Sequence, residues 1–310
     1  MNSILSPPPL AVGSKVGVAA LSGVVDRAAL AVGIERIREL GLVPIRAANL
    51  ELADGIFAGS DAERIEGFHR LLAREEVAAM LFARGGHGLL RVLPELDWQL
   101  IAARPRWFVG YSDLTPLLNG IVDRLHWAAV HGPMVAVEPA QGWQGAELES
   151  FRALLFGETP EAVPLAGTRG DWQQVAAPLA GGCLAMLTAT LGTPWATPLA
   201  GKVLFVEDVG EPYYRLDRMF RQLRLAGALD AIDGVILGAF TAAEGTTHQT
   251  QELIEIVQSS VPGPVPIAWG CPSGHCRPNL ALPLGATVTV DAAALRLRFA
   301  VPAASAPGIG

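Results

Sequence analysis

The stretch Phe108-Val-Gly-Tyr-Ser-Asp-Leu-Thr115 sets one serine between an apolar run and an amphipathic segment. A hydroxyl at such a strand-to-helix turn has two uses. It caps the new helix, or it stands exposed as a nucleophile once a base takes its proton. Gly110 permits the tight turn of a nucleophile elbow, although Leu114 stands where the common Gly-x-Ser-x-Gly pattern has its second glycine. Acyl transfer at Ser112 also requires N–H donors for the oxyanion, and the following residue, Asp113, offers one. The glycine turn of "ARGGHG" (83–88) offers Gly85 and Gly86, where missing side chains let a substrate reach the backbone.

A serine nucleophile needs an imidazole base held by a carboxylate. Of the six histidines, His69 falls inside a helical pattern and His248 in a polar loop, both read as surface positions; His87, His126 and His131 lie nearer Ser112 in the chain. His275 differs, because "GCPSGHCRPN" is a glycine- and proline-rich loop directly behind an apolar run, where a ring can be both exposed and held. For the acid, "VLFVEDVGEP" ends an apolar run on Glu207 and Asp208, and carboxylates so placed are rarely buried without a partner. On residue types alone, an ordinary ion pair or a cap for the next helix is the simpler account of Glu207.

The elements that must carry these residues follow from periodicity. "KVGVAAL" (15–21) reads as a strand, followed by a helix with Leu30, Ile34, Ile37 and Leu40 at helical spacing and Gly41 at its end. Residues 61–76 form the next helix, "VAAMLF" a strand entering the glycine turn, and "RWFVG" a strand that turns through Ser112 into the helix "LTPLLNGIVDRL". Such alternation predicts a parallel sheet covered by helices, with ligands bound beyond the carboxyl ends of its strands, where Ser112 falls. Pro160, Pro164, Gly167, Gly170 and Pro178 then break the pattern. The expected organisation is an N-terminal domain over 1–160, a linker over 161–178 and a C-terminal domain over 179–310. The last contains the strands "GKVLFVEDVG", "DGVILGAF" and "VPIAWG", two helices between them, and a β-hairpin in "LALPLGATVTVDAAALRLRFAV". The fold class is therefore α/β: a parallel-sheet domain with a nucleophile elbow and a smaller α/β domain with a hairpin. The ending "PAASAPGIG" is expected to fray.

Composition narrows the function classes. With 310 residues, 51% of them hydrophobic, the chain can bury one large or two ordinary cores. A net charge of −7 without a basic stripe argues against nucleic acid as a partner. No apolar run approaches the roughly 18 residues of a membrane span, and the N-terminus lacks a signal-peptide pattern, so the expected location is the cytoplasm, without a membrane partner. Cys183, Cys271 and Cys276 are too few for a disulfide framework, and Cys271, His275 and Cys276 lack the spacing and fourth ligand of a zinc site. Neither metal nor cofactor is expected.

Taken in order, "FAGSDAERIEGF", "ARGGHGLLRVLPELDW", "FVGYSDLT", "HGPM", "LAGGCLAMLTATLGTPW", "VLFVEDVGEPYYRLDRMFRQLRLAG", "GVILGAF" and "GH" followed by "LPLGA" resemble the L,D-carboxypeptidases, the murein tetrapeptide carboxypeptidase family of serine peptidases. The resemblance implies a triad of Ser112, Glu207 and His275, an oxyanion hole from the N–H groups of Asp113 and Gly86, and a homodimer. It further implies a substrate: a cytoplasmic muropeptide, L-Ala-γ-D-Glu-meso-diaminopimelate-D-Ala, losing its terminal D-Ala in wall recycling. A carboxypeptidase must also hold a terminal carboxylate, and Arg84 and Arg215 are both candidates. The chain departs from the family at His87, where tyrosine is common, at Cys183, where asparagine is, and at "ALSG", where Ser22 only approximates the usual "PS". His87 and Cys183 are therefore expected to reshape substrate contacts. Two other readings attach to this resemblance. One is hydrolysis of microcin C-type peptide-nucleotides or aminoacyl-adenylates, for which Trp143 and Trp172 are candidate stacking residues. The other is a noncatalytic ligand-binding protein, against which the retention of Ser112, Glu207 and His275 speaks.

Overall fold

The structure, a computed structural model, describes residues 4–242 and 244–304. The first half runs β1 (Lys15–Ala19), α1 (Arg27–Glu39), β2 (Val43–Arg46), α2 (Asp61–Leu72), β3 (Val77–Phe82), α3 (Leu89–Val92), α4 (Trp98–Ala102), β4 (Trp107–Gly110), α5 (Thr115–Leu125), β5 (Ala129–His131) and α6 (Ala146–Phe156). Local chemistry sets the helix starts. Asp26 accepts the Ala29 N–H ahead of α1, and Ser60 and Glu63 close a capping box ahead of α2. β1 to β5 pair in parallel in the order β5-β4-β3-β1-β2. β4 is buried throughout, as expected of a strand covered on both faces, whereas β2, which carries Pro44 and so lacks one ladder N–H, lies at the edge.

The second half runs β6 (Val163–Pro164), β7 (Gly167–Arg169), β8 (Ala177–Cys183), α7 (Leu184–Ala189), β9 (Val203–Asp208), α8 (Tyr213–Leu225), β10 (Gly234–Phe240), α9 (Thr250–Ser260), β11 (Ile267–Trp269), β12 (Leu282–Leu284), β13 (Thr287–Asp291) and β14 (Arg296–Ala300). Its sheet has the order β6-β14-β13-β8-β9-β10-β11-β7, with β8 to β11 parallel and antiparallel strands on either side. β9 shows how the sheet is packed. Leu204 and Val206 belong to a core with α7, α8 and α9, whereas Phe205, on the other face, joins the core of the first half.

Two features differ from the expectations. Residues 161–178 include the outer strands β6 and β7 and the start of β8, because proline and glycine are tolerated at sheet edges and strand ends. The hairpin is formed by β13 and β14, but β12, ahead of it, crosses to the first sheet and pairs with β5, Leu282 opposite His131. This covers an edge that would otherwise present unpaired backbone groups. Of the ending expected to fray, residues 305–310 lie outside the described residues. No helix among the described residues is long and apolar enough to cross a membrane.

Candidate active site

The chain reverses sharply at the end of β4. A Cβ on Gly110 would lie 2.5 Å from Leu114 Cδ1, so glycine there makes room for the returning turn. Ser112 opens a single 3-10 turn with φ of 62°, a left-handed conformation that costs a non-glycine residue about 1–3 kcal/mol. Neither this turn nor α5 takes a side-chain cap, so the Ser112 hydroxyl is not spent on the helix. In front of it stands Gly85, where a Cβ would come within 3.2 Å of Ser112 Oγ and 3.3 Å of Asp113 N. The missing side chain thus leaves open the space before both hydroxyl and N–H. Gly86, with φ of 103°, faces the Arg84 guanidinium instead, its Cβ position 3.2 Å from Nη2.

The elbow is braced from two sides. The buried Asp113 carboxylate accepts the Leu89 N–H at 2.8 Å, tying the glycine turn to the elbow, a contact with no sequence signal. On the other side, Thr115 Oγ1 donates to Ser112 O at 2.8 Å and accepts the Cys183 N–H at 3.1 Å, while Asn119 exchanges two hydrogen bonds with Gly181. A Cβ on Gly182 would sit 2.6 Å from Thr115 Oγ1 and one on Gly181 2.0 Å from Phe205 O, which explains the glycine pair of "LAGGC".

Acid and imidazole come from the second half. Glu207, at the end of β9, is fully buried, and its Oε2 lies 2.7 Å from His275 Nδ1 and 3.2 Å from His275 N. With an Nδ1–H donating to the carboxylate, Nε2 remains free to accept a proton. Burial, the largest single influence, works to lower the His275 imidazole, but Glu207, Asp208 and Glu138 together outweigh it, so the ring sits above its ordinary value. Gly274 makes the approach feasible, since a Cβ there would meet Glu207 at 2.6 Å. Asp208 next door has a different task. It accepts the Ala185 and Val209 N–H groups at 2.8 Å each, and burial, followed by the nearby Glu207 charge, lifts its carboxyl to about 6.

Ser112 and His275 line one cavity of about 470 Å³, together with Tyr111, Arg84, Gly85, Gly86 and Asp26. Its apolar wall is Met134, Ala136, Val137 and Val209. Arg84 is held by a 2.8 Å bond from Nη1 to Val24 O and makes no ion pair among the described residues. Arg215 is not brought to this cavity; its side chain, 54% exposed, pairs with Glu211 at 3.2 Å. Nor are His87 and Cys183 among its walls. His87 is exposed against Phe57 with ring centroids 5.9 Å apart. Cys183 is buried with Sγ 3.7 Å from Asp208 Oδ1, and burial raises its thiol well above the ordinary range, which keeps it protonated.

Other aromatic and imidazole groups are placed differently from their sequence reading. Trp143 packs on Phe151 at 4.7 Å and Trp172 against Gly234, both buried, so neither presents a face for a nucleobase. His248 is buried rather than superficial, its Nε2 bonded to Glu211 O. His131 is fully buried between Tyr111 and Phe205, and burial lowers it to about 4. Behind the cavity, Tyr111, Glu138, Glu147 and Asn279 form a buried polar cluster in which Asn279 bonds to Glu147 and Glu138, 132 and 141 positions earlier in the chain. Polar groups of this kind carry no periodicity, and only their three-dimensional partners reveal them.

Comparison with known proteins covers both halves. Residues 16–132 match the LD-carboxypeptidase N-terminal domain and residues 176–290 the LD-carboxypeptidase C-terminal domain. A putative carboxypeptidase of Streptomyces coelicolor is 36% identical over 99% of this chain and 100% of its own. A murein tetrapeptide carboxypeptidase of Pseudomonas aeruginosa is 34% identical over 77% of this chain and 80% of its own. Among solved structures, the microcin C7 self-immunity protein in complex with aspartyl sulfamoyl adenosine superposes with a TM-score of 0.84 at 23% identity, covering 98% of this chain and all of that one, a likeness of fold.

Proposed function

The chain belongs to the LD-carboxypeptidase family of serine peptidases, and we propose that it removes the terminal D-Ala from murein tetrapeptides, L-Ala-γ-D-Glu-meso-diaminopimelate-D-Ala, during peptidoglycan recycling in the cytoplasm, as a homodimer. The observation that carries the reading is the buried Glu207 carboxylate 2.7 Å from His275 Nδ1, with that imidazole and the left-handed Ser112 in one cavity. His275 Nε2 takes the hydroxyl proton as Ser112 Oγ attacks the carbonyl carbon of the residue before D-Ala. Glu207 orients the ring and stabilises the imidazolium, and the oxyanion is received by the N–H groups of Asp113 and Gly86. Collapse of the tetrahedral intermediate breaks the C–N bond. The imidazolium returns its proton to the departing amine, and water activated by the same imidazole hydrolyses the acyl-enzyme.

Arg84 is the residue proposed for the terminal carboxylate, because it lines the cavity and no acidic side chain among the described residues pairs with it. The peptide-nucleotide reading has less support, since both tryptophans considered for nucleobase stacking are buried. The test is mass spectrometry of the murein tetrapeptide incubated with the protein and with Ser112→Ala. D-Ala release by the wild type alone is the expected result. Equal release by the variant overturns the role of Ser112, and no release by the wild type overturns the substrate.

A further inference from the structure

Among the described residues no hydrogen bond joins Ser112 to His275, and the two, from different halves of the chain, must come within about 2.6–3.2 Å for proton transfer. A second, indirect connection exists. Tyr111, the residue before Ser112, donates its hydroxyl to Glu138 Oε1 at 2.9 Å. The same oxygen accepts Asn279 Nδ2–H at 2.8 Å, and Asn279 Oδ1 accepts the N–H of Gly274, the residue before His275, at 2.9 Å. We propose that Tyr111, Glu138 and Asn279 are positioning residues, a buried hydrogen-bond chain that sets the distance and orientation between nucleophile and base. The proposal rests on the triad reading above.

Three observations give the chain this role rather than that of general adhesive. Its members are buried, with Tyr111 3%, Glu138 2% and Asn279 0% exposed, so each bond is made in a medium where an alternative partner is unavailable. The remaining groups are also engaged: Glu138 Oε2 accepts the Met134 N–H at 2.9 Å, and the Asn279 N–H reaches Glu147 Oε1 at 2.8 Å. Glu147 in turn holds Arg277, on the same loop as His275, at 2.9 Å. Finally, the Tyr111 ring stands edge-on to the His275 ring with centroids 4.9 Å apart, so the side chain that ties the elbow also restrains imidazole rotation.

The electrostatic consequence is specific. His275 is faced by Glu207 and Asp208 from β9, by Glu138 and Tyr111 from the first half, by His131 from β5, and by Cys276 with the Glu147–Arg277 pair from its own loop. Of these, Glu138 is a carboxylate that favours the imidazolium without touching it. Glu138→Gln therefore removes charge as well as geometry, whereas Tyr111→Phe keeps the ring, leaves both Glu138 oxygens with a partner, and removes only the link.

The experiment compares wild type, Glu138→Gln and Tyr111→Phe as full-length protein, by steady-state kinetics on the murein tetrapeptide and by NMR titration of ¹³C-labelled histidine, with His275→Gln assigning the resonance. The expected result is a kcat lowered about tenfold to a hundredfold in both variants with KM within about twofold, since ångström-scale misplacement costs that much. The His275 midpoint falls in Glu138→Gln and less in Tyr111→Phe. Folded variants with wild-type kcat and an unmoved midpoint overturn the proposal. If Glu138→Gln does not fold, Tyr111→Phe decides by its kcat. If the wild type releases no D-Ala, the functional reading fails by itself, and the Tyr111→Phe midpoint still decides whether the chain acts on His275.

Discussion

The two sides of the cavity are built by different means. On the serine side the working groups are placed by backbone: a left-handed Ser112, Gly85 without a side chain before it, and Gly110 and Gly182 giving way to Leu114 and Thr115. On the imidazole side they are placed by charge and hydrogen bonds: a fully buried Glu207 bonded to His275, and a loop held by Asn279, Glu138 and Glu147. The first side resists change sterically, the second electrostatically. Errors on the serine side should therefore lower the rate equally at every pH, whereas errors on the imidazole side should also move the pH profile.

The largest effect tests the electrostatic side. Glu207→Gln keeps the shape of the acid, yet an amide cannot stabilise the imidazolium and can turn its NH₂ toward His275. A fall in kcat of about 10⁴-fold is expected, on the precedent of an isosteric amide in a serine-protease triad, with KM little changed. Stopped assays of D-Ala release at saturating tetrapeptide measure it. A loss below about tenfold would mean that Glu207 does not orient the base.

Gly85→Ala tests the other side. The added methyl would lie 3.0 Å from Ser112 Cβ and 3.2 Å from its Oγ, in the space a substrate carbonyl must enter. A loss of about a hundredfold in kcat/KM is expected, as for removal of one oxyanion donor, with the pH profile in place. A shifted profile would show that the two sides are not separable in this way.

The pH profile itself comes next in size. With His275 as the proposed base, activity would need the neutral ring; the carboxylates of Glu207, Asp208 and Glu138 together raise its proton affinity against burial, so kcat/KM should fall about tenfold per unit below a limb lying above the ordinary 6.5. The stability sign is opposite. A raised folded value means that the His275–Glu207 pair stabilises the fold fully below 6.5 and that this contribution is lost as pH rises through the folded value. Asp208, lifted from 3.8 to about 6, works in the same direction at lower pH: stability is lost as pH rises through that range. Unfolding of wild type and His275→Gln, followed from about pH 5 to about pH 9, should converge as activity appears. Divergence with rising pH would contradict the pair's assigned sign.

How far these features were legible depends on whether they are local. Ser112, Glu207 and His275 each stand at the end of an apolar run, so position along a strand marked them, and the ordered motifs joined them. The main helices followed from spacing and caps. β5 was not legible because three residues carry no alternation, and β6 and β7 because edge strands accept the proline and glycine that read as linker. The Asp113 carboxylate, Glu138 and Asn279 were invisible for a deeper reason: Asn279 and Glu138 are 141 residues apart, and a polar residue's purpose lies with its partner.

The smallest effect is expected at Arg215, and it separates the two arginines that the sequence left equivalent. Arg215 lies on α8 in the half that supplies the imidazole, and its i,i+4 pair with Glu211 is an exposed, solvent-screened surface bridge of little consequence for stability. Arg84 lies on the serine side, anchored to Val24 O, and lines the cavity. Arg215→Ala should leave kcat and KM within about twofold and stability nearly unchanged. Arg84→Ala should raise KM for the free-acid tetrapeptide about tenfold or more, with little effect on an analogue whose terminal carboxyl is amidated, because a charge-assisted bond is lost only where there is a charge to bind. Parallel KM measurements on both substrates check it. If Arg215→Ala instead carries the carboxylate-dependent loss, the terminus is read from the imidazole side, and the role proposed for Arg84 fails.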